Sequence, residues 1–233
     1  MAFYNSLATK LNRMKYRPEI DGLRAIAVLS VLIYHAKFYI GSNLFLSGGF
    51  LGVDIFFVIS GFLITKIITQ EIRNQKFTYT NFYERRARRI LPALFAVMLF
   101  SLPFAWLWIM PEQLVEFSHS VLGALFFSSN MVFFFEDSYT AAPSALKPFL
   151  HTWSLGIEEQ FYILLPIILL FLLRRYKKHS VFVALLFGTV ISLVIAQVLS
   201  SRATDANFFL LPSRAWELLL GCLLYTSPSP RDA

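Results

Sequence analysis

Charged residues are scarce in this chain: 15% of its 233 residues are Asp, Glu, Lys or Arg, whereas 57% are hydrophobic. Soluble globular domains carry about 25% charged residues, so the composition excludes an ordinary soluble domain. The single cysteine, Cys222, excludes an intramolecular disulfide and a cysteine metal cluster. Residues 1–20 lack the short apolar core and small-residue cleavage site of a signal peptide, so the first span is expected to act as the signal anchor.

Long apolar runs, in contrast, are abundant. A membrane-spanning helix needs about 20 mostly apolar residues. Six runs approach or reach that length, and a weaker one covers residues 119–135. The six are 23–41, 49–69, 90–110, 152–173, 181–199 and 208–224. The sequence therefore predicts an all-α, polytopic transmembrane helical bundle of about six spans.

Basic residues between the runs predict the orientation, because cytoplasmic loops of membrane proteins carry an excess of Lys and Arg. The basic N-terminal segment and the clusters at 85–89 and 174–178 are all expected on the cytoplasmic side. That arrangement leaves room for one crossing between residues 111 and 174. The run at 152–173 is therefore the crossing, and 119–135 is predicted to be re-entrant or interfacial, on the outer side.

Three regions follow from this reading. Residues 1–15 form a predicted cytoplasmic segment, and 16–224 form the membrane domain. Residues 225–233 are abruptly polar and proline-rich, and they interrupt the last apolar helix. Two interpretations of this tail remain open: a disordered terminus, or the non-native end of a truncated chain.

A histidine lies inside the first predicted span. Ten residues separate Arg24 from His35. On a helix, eleven steps of about 100° bring both side chains to one face, roughly 16 Å apart along the axis. Ionisable residues within spans face a bundle interior or a cavity, and histidine titrates near neutrality. The pair therefore indicates chemistry or transport within the membrane.

Several ionisable residues fall at a depth similar to that of His35 when helix rise is counted from the predicted span ends. They are Asp54, Glu158, Glu159, Arg214 and Glu217. An unpaired carboxylate in a membrane costs on the order of 3 kcal/mol, so pairing or hydration is required. A carboxylate beside an imidazole makes a general base, while the alternative is a buried network that holds helices together. Glu158 follows Ser154 by one helical turn and is predicted to face His35 and Asp54, with Glu159 rotated by about 100°.

Two further features have two readings each. Arg86 and Arg89 are three residues apart and share one face of a helix start. Guanidinium groups bind phosphates bidentately, so two interpretations of this basic stretch stay open: binding of a phosphorylated cofactor, or binding of anionic lipid. Trp153 is either part of the site or a residue of the interfacial aromatic belt. Neither a metal site nor nucleic-acid binding is expected.

Five motifs in order, within residues 16–221, resemble the acyltransferase-3 family of integral membrane acyltransferases. They are YRPEIDGLRAIA at 16–27 leading to His35, GFLGVDIFFVISGFL at 49–63, FYERRARRILP at 82–92, HTWSLGIEEQFY at 151–162, and RAWELLLG at 214–221. The family pattern of a basic residue, ten spacers and a histidine falls on Arg24 and His35. Its Arg-x-x-Arg pattern falls best on Arg86 and Arg89, and Arg85 with Arg88 also fits.

The resemblance implies an enzyme that transfers an acyl group, often acetyl from cytoplasmic acetyl-CoA, to an extracytoplasmic glycan hydroxyl. Family members modify O-antigen of lipopolysaccharide, peptidoglycan, exopolysaccharide or other glycans. It implies no tightly bound cofactor, with acyl-CoA as donor co-substrate, and a place in the bacterial inner membrane with a cytoplasmic N-terminus. Such proteins usually have about ten spans, and some carry a C-terminal SGNH hydrolase-like domain, so this chain is expected to be truncated.

Residue roles follow from the same resemblance. His35, oriented by Asp54 or Glu158, would deprotonate the acceptor hydroxyl or take the acyl group itself, and both routes stay open. Arg24, Arg86 and Arg89 would bind the donor. Supporting roles fall to Trp153, Ser154, Glu159 and Arg214. The competing interpretations are a proton-coupled transporter that uses the buried histidine and carboxylates as a relay, and an inactive fragment.

Overall fold

The computed structural model describes residues 18–40, 42–136, 147–176 and 178–227. The predicted cytoplasmic segment 1–15 and residues 228–233 of the predicted tail lie outside the described residues. The helices are α1 (Pro18–His35), α2 (Gly52–Arg73), α3 (Tyr79–Trp108), α4 (Pro111–Leu125), α5 (Ser129–Phe135), α6 (Trp153–Arg175), α7 (Lys178–Arg202), α8 (Thr204–Phe209) and α9 (Leu211–Thr226). Single turns of 3₁₀ helix at Gly49–Leu51 and Leu150–Thr152 lead into α2 and α6. The chain divides into two compact units, Met1–Ile59 and Ser60–Ala233.

Five helical segments of the described chain are long and apolar enough to cross a membrane. They are Gly49–Arg73, Tyr79–Trp108, Leu150–Arg175, His179–Arg202 and Thr204–Thr226. A helix satisfies most of its backbone hydrogen bonds internally, which is what a spanning segment requires in lipid. These segments match five of the six predicted spans and confirm the all-α, polytopic class. The chain is an integral membrane protein.

The first predicted span, 23–41, is wrong in both of its bounds. Helix α1 begins at Pro18 and ends at His35. Lys37 adopts a left-handed backbone with φ of 51°, and β1 (Tyr39–Ile40) then pairs antiparallel with β2 (Asn43–Leu44). Because its 18 residues include Glu19, Asp21 and Arg24, α1 is not among the five spanning candidates. His35 therefore ends its helix rather than lying within a span.

The predicted re-entrant or interfacial segment, 119–135, is broken into two helices. Helix α4 ends at Leu125 and α5 begins at Ser129. Between them Phe127 has a φ of 53°, which stops helical hydrogen bonding. With 15 and 7 residues, neither helix reaches the length of a span. This finding agrees with the prediction that the segment does not cross, while the side on which it lies stays a prediction.

Helix α3 starts eleven residues before the predicted span at 90–110, at Tyr79. Its 30 residues correspond to about 45 Å, longer than the roughly 30 Å apolar core of a bilayer. The arginines at 85–89 thus lie on the helix itself rather than in a loop. Their side chains consequently project in directions that the helical period fixes.

Two glycines allow helices to approach closely, one in each unit. In the first unit, a Cβ at Gly52 would overlap the carbonyl oxygen of Ala27 in α1. In the second, a Cβ at Gly61 would overlap the carbonyl oxygen of Leu218 in α9. Small residues permit such backbone contact between membrane helices. Gly61 thereby places the middle of α2 against α9.

Candidate functional site

The most prominent polar cluster of the second unit joins α3 to α6. The guanidinium carbon of Arg86 lies 3.6 Å from the ring centroid of Tyr162, and 5.7 Å from that of Phe82. Its Nη1 lies 3.5 Å from Oε1 of Glu159. Arg86 is 19% exposed in its side chain and Glu159 is 11% exposed. A cation over an aromatic face gains more when it is desolvated, so this cluster is a strong electrostatic contact between two helices.

A second set of hydrogen bonds starts from the hydroxyl of the same tyrosine. Tyr162 Oη donates to Oε1 of Glu158 at 3.3 Å, and it lies 2.6 Å from Oγ of Ser60 in α2. Each hydroxyl carries one proton, so Ser60 donates to Tyr162 when Tyr162 donates to Glu158. Glu158 and Tyr162 are both buried. The chain of hydroxyls thus provides hydrogen bonds to a carboxyl group that burial would otherwise leave costly.

The backbone of Tyr162 also contacts α3, because Oη of Tyr83 donates to its carbonyl oxygen at 3.2 Å. The two contacts pair Tyr83 with residue 162 and Arg86 with residue 159. Since one number rises as the other falls, α3 and α6 are antiparallel where they cross. The predicted orientation likewise requires these two spans to run in opposite directions.

One hydrogen-bond donor of the cluster has no acceptor in the part of the chain that the structure describes. Nε of Arg86 is buried and has no hydrogen-bond partner among the described residues. A buried donor without an acceptor costs about 1–3 kcal/mol. An anionic oxygen placed at Nε would remove this cost and bring a charge-assisted hydrogen bond. The arrangement is therefore chemically suited to binding an anion such as a phosphate.

A second arginine–glutamate pair lies within α9. Nη1 of Arg214 is 3.2 Å from Oε1 of Glu217, and Glu217 is fully buried. The guanidinium also lies 5.6 Å from the ring centroid of Trp153. Trp153 is buried and contacts the rings of Phe208 and Phe209. The ring of Trp153 thus packs in the interior, and its role in the site stays a prediction.

An amide pair connects the first turn of α5 to α6 and α8. Nδ2 of Asn130 donates to the carbonyl oxygen of Phe209 at 3.0 Å, and Nε2 of Gln160 donates to Oδ1 of Asn130 at 2.8 Å. Asn130 is fully buried. Buried amides need such partners. Gln160 follows Glu159 directly, so this pair holds the same turn of α6 that presents the glutamates.

Three predicted site residues lie in the first unit. The guanidinium carbon of Arg24 lies 5.2 Å from the ring centroid of Phe56. His35 is exposed, and its ring lies 5.3 Å from that of Tyr34. Asp54 occupies the first turn of α2 and is partly buried. The predicted convergence of His35 and Asp54 with Glu158 joins residues of both units and stays a prediction.

The remaining predicted residues occupy peripheral positions in the second unit. Arg89 is exposed, as are Arg85 and Arg88. Arg85 pairs with Glu71 at 2.6 Å, and Arg88 with Glu84 at 2.6 Å. Ser154 donates to the carbonyl oxygen of His151 at 3.2 Å. Arg86 is therefore the arginine of the 85–89 cluster that reaches a carboxylate of α6. Counting helix rise places Arg86 at the inner end and Glu159 in the outer-middle layer, and this separation in depth is wrong, because the two side chains lie 3.5 Å apart.

Tyr162, Tyr83 and Ser60 are not among the residues that the sequence selects. Tyr162 follows Glu158 by four residues, and Arg86 follows Tyr83 by three. Both spacings place side chains on one face of a helix. That signal is present in the sequence for each pair. Among the residues described, no group of three His, Cys, Asp or Glu side chains is placed to hold a metal ion.

Comparison with known sequences covers nearly all of the chain. The sequence model of the acyltransferase-3 family, which describes an acyltransferase domain, matches residues 17–229. That range includes the Arg86–Tyr162–Glu159 cluster and the Arg214–Glu217 pair. No solved structure matches the chain.

Two relatives illustrate the similarity. The O-acetyltransferase OatA of Staphylococcus aureus strain NCTC 8325 is 38% identical over 218 residues, which cover 92% of the chain and 35% of that protein. A putative O-acetyltransferase, SAS0844 of Staphylococcus aureus strain MSSA476, is 38% identical over 220 residues, which cover 93% of the chain and 35% of that protein. The chain thus spans about a third of the length of the curated relatives it matches.

Proposed function

Because the chain belongs to the acyltransferase-3 family, we propose that it is the membrane part of an O-acetyltransferase that moves an acetyl group from acetyl-CoA to a hydroxyl of a cell-surface glycan. The observation that carries the proposal is the 38% identity to OatA over 92% of the chain. The name of that relative specifies O-acetyl transfer. Acetyl-CoA as donor and a glycan hydroxyl as acceptor are the classes that the family resemblance implies.

The donor is proposed to bind at α3 through its phosphates. Arg89 is exposed, so its guanidinium can meet a phosphate arriving from the cytoplasm. Nε of Arg86 offers a buried donor without a partner among the described residues. Guanidinium groups match phosphate oxygens in geometry as well as charge. Arg24 would act further along the path of the pantetheine arm.

Transfer is proposed to use His35. In the direct route, the imidazole accepts the proton of the acceptor hydroxyl while that oxygen attacks the thioester carbonyl. The carbon–sulfur bond then breaks, and the imidazolium returns the proton to the CoA thiolate. In the alternative route, an imidazole nitrogen attacks the thioester carbonyl, the carbon–sulfur bond breaks and CoA leaves as the thiolate. The acceptor oxygen then displaces the imidazole from the acetyl group, and the proton of the hydroxyl neutralises the thiolate. In either route Asp54 or Glu158 would stabilise the imidazolium, and Trp153, Ser154, Glu159 and Arg214 would support the site.

Orientation follows from the basic segments. The N-terminus and the clusters at 85–89 and 174–178 are proposed to face the cytoplasm, where acetyl-CoA is available. The acceptor glycan would then approach from the opposite side. The five spanning helices would thus separate donor and acceptor, and the acetyl group would cross between them.

Donor binding and transfer are tested separately. Charge reversal at Arg86 or Arg89 is expected to weaken acetyl-CoA binding by the purified protein, while Arg88→Glu, a matched change at an exposed arginine, leaves it within about twofold. His35→Ala should keep acetyl-CoA binding and abolish acetylated glycan in membranes. If Arg88→Glu weakened acetyl-CoA binding as much as charge reversal at Arg86 or Arg89, the proposed donor site would be contradicted. Unchanged glycan acetylation in His35→Ala would contradict the role of the histidine. Substrate flux without a covalent product would favour a proton-coupled transporter instead.

A further inference from the structure

A proline interrupts α6 one turn after the tyrosine of the site. Pro166 lies inside the helix that runs from Trp153 to Arg175. Proline has no backbone N–H, so the carbonyl four residues earlier loses its helical partner, and the ring also crowds that carbonyl. The carbonyl concerned belongs to Tyr162. In lipid, a carbonyl freed in this way must find another donor, which a neighbouring helix can supply.

Tyr83 supplies that donor. Its hydroxyl lies 3.2 Å from the carbonyl oxygen of Tyr162. Arg86, one turn further along α3, lies with its guanidinium 3.6 Å from the ring centroid of the same Tyr162. Two successive turns of α3 therefore hold the backbone and the side chain of one residue of α6. A hydrogen bond has a narrow range of allowed distance and angle, so this pair of contacts restricts axial sliding between the helices.

We propose that Pro166 and Tyr83 form a positioning pair that sets the axial register of α3 against α6 and so aligns Arg86 with Glu159. Neither residue would touch the donor. Their effect reaches the donor through Arg86, and that part rests on the function proposed above. The register itself is independent of any ligand, so it can be measured without one.

Another proline inside a described span makes a useful contrast. Pro103 lies inside α3, as Pro166 lies inside α6, but it is exposed and sits 17 residues past Arg86. Pro166 is buried. Replacing either proline by alanine returns an N–H to the helix and raises the helix propensity at that position. Pro103→Ala is accordingly the matched control for Pro166→Ala.

The register is measured with two spin labels in the 233-residue protein reconstituted in nanodiscs. Labels at Val97 in α3 and Ile168 in α6 occupy exposed positions. Because the helices are antiparallel, the labels lie on opposite sides of the crossing, separated axially by roughly 30 Å. Axial sliding therefore changes the distance directly. Cys222 is replaced by alanine so that each label has a single attachment site.

Tyr83→Phe and Pro166→Ala are each expected to shift or broaden the label distance by about 1–2 Å, the scale of small helix shifts. Each should also weaken acetyl-CoA binding about fivefold, the effect of one hydrogen bond. The double variant should be no weaker than the worse single variant, because both changes remove the same contact. Pro103→Ala should leave distance and affinity unchanged.

Unchanged distances in Tyr83→Phe and Pro166→Ala would overturn the positioning role. The positioning role would also be overturned if the loss of acetyl-CoA affinity in the double variant equalled the product of the two single losses, because the two changes would then act independently. Absence of acetyl-CoA binding by the parent protein would contradict the proposed function alone, and the label distances would then still decide the register.

Discussion

Two arginine–glutamate pairs of this protein lie beside aromatic rings, and they are built differently. Arg86 and Glu159 come from two helices, α3 and α6, and lie 3.5 Å apart. Arg214 and Glu217 lie one turn apart within α9, at 3.2 Å. Arg86 stacks closely on Tyr162 at 3.6 Å, whereas Arg214 lies 5.6 Å from Trp153.

The difference teaches which pair can respond to a ligand. Residues three apart on one helix keep their spacing whatever the helix does, so the Arg214–Glu217 pair moves as part of a rigid element. The Arg86–Glu159 pair depends on how two helices lie against each other. A phosphate that draws Arg86 away from Glu159 would therefore weaken the contact between α3 and α6. The pair in α9, in contrast, keeps the charge of Glu217 compensated in the interior.

Removal of Glu217 is expected to cause the largest loss of folding stability. Glu217→Ala leaves Arg214 largely buried without this carboxylate, and breaking a buried pair from one side costs about 3–5 kcal/mol. Glu159→Ala should cost less, because Arg86 keeps its contact with the Tyr162 ring. Thermal unfolding of both variants in the same detergent measures the difference. Equal losses would erase the proposed contrast between the two pairs.

Replacement of the arginines by lysine tests the stacked contact. Arg86→Lys removes the planar group over Tyr162 and the free Nε, so we expect acetyl-CoA to bind about tenfold more weakly. Arg214→Lys keeps a positive charge near Glu217 and should leave donor affinity unchanged. Titration of purified variants with acetyl-CoA provides the measurement. Similar affinities for both lysine variants would mean that Arg86 holds no donor phosphate.

The hydroxyl of Tyr162 separates stability from binding in the first cluster. Tyr162→Phe removes the hydrogen bonds to Ser60 and Glu158 while keeping the ring beneath Arg86. We expect about 1 kcal/mol less stability and acetyl-CoA affinity within about twofold of the parent. Unfolding and titration of the same sample give both values. A large loss of affinity would show that the hydroxyl, and not the ring alone, serves donor binding.

The smallest loss of folding stability is expected for a change near the Arg214–Glu217 pair. Oγ of Ser192 in α7 accepts from the backbone N–H of Trp216 at 2.9 Å and donates to the carbonyl oxygen of Pro212 at 2.7 Å. It thus tethers the first turns of α9. Ser192→Ala should lower stability by about 0.5–1 kcal/mol, with Thr189→Ala, a change in the same helix, as a comparison. Any change of donor affinity in Ser192→Ala would mean that the two pairs are coupled.

Hydropathy predicts the spans well and their ends poorly. Five predicted spans recur among the helices long enough to cross, because a run of apolar residues is a property of local sequence. The start of α3 differs because Tyr79 to Arg89 continue the helix without being apolar. The end of α1 differs because Lys37 takes a left-handed backbone before the hairpin at Tyr39–Leu44, and hydropathy does not register a turn within an apolar stretch.

The sequence predicts which residues belong to the candidate site better than it predicts which of them contact each other. The sequence selects Arg86, Glu158 and Glu159, and the structure places all three around Tyr162. The partnership of Arg86 with Glu159 depends on the length of the arginine side chain and the crossing of α3 with α6. Neither is encoded in span boundaries, and counting helix rise separates the two residues in depth.

The close contact between Gly61 and Leu218 has a consequence for how the protein is made. About 150 residues of chain separate the two positions, and ribosomes extend chains at about 5–20 residues per second. Helix α2 therefore enters the bilayer roughly ten seconds or more before α9 exists. During that interval the glycine face of α2 has lipid or another transient neighbour in place of α9. The contact between α2 and α9 thus forms only after the helix that carries Leu218 has been synthesised and displaces that neighbour.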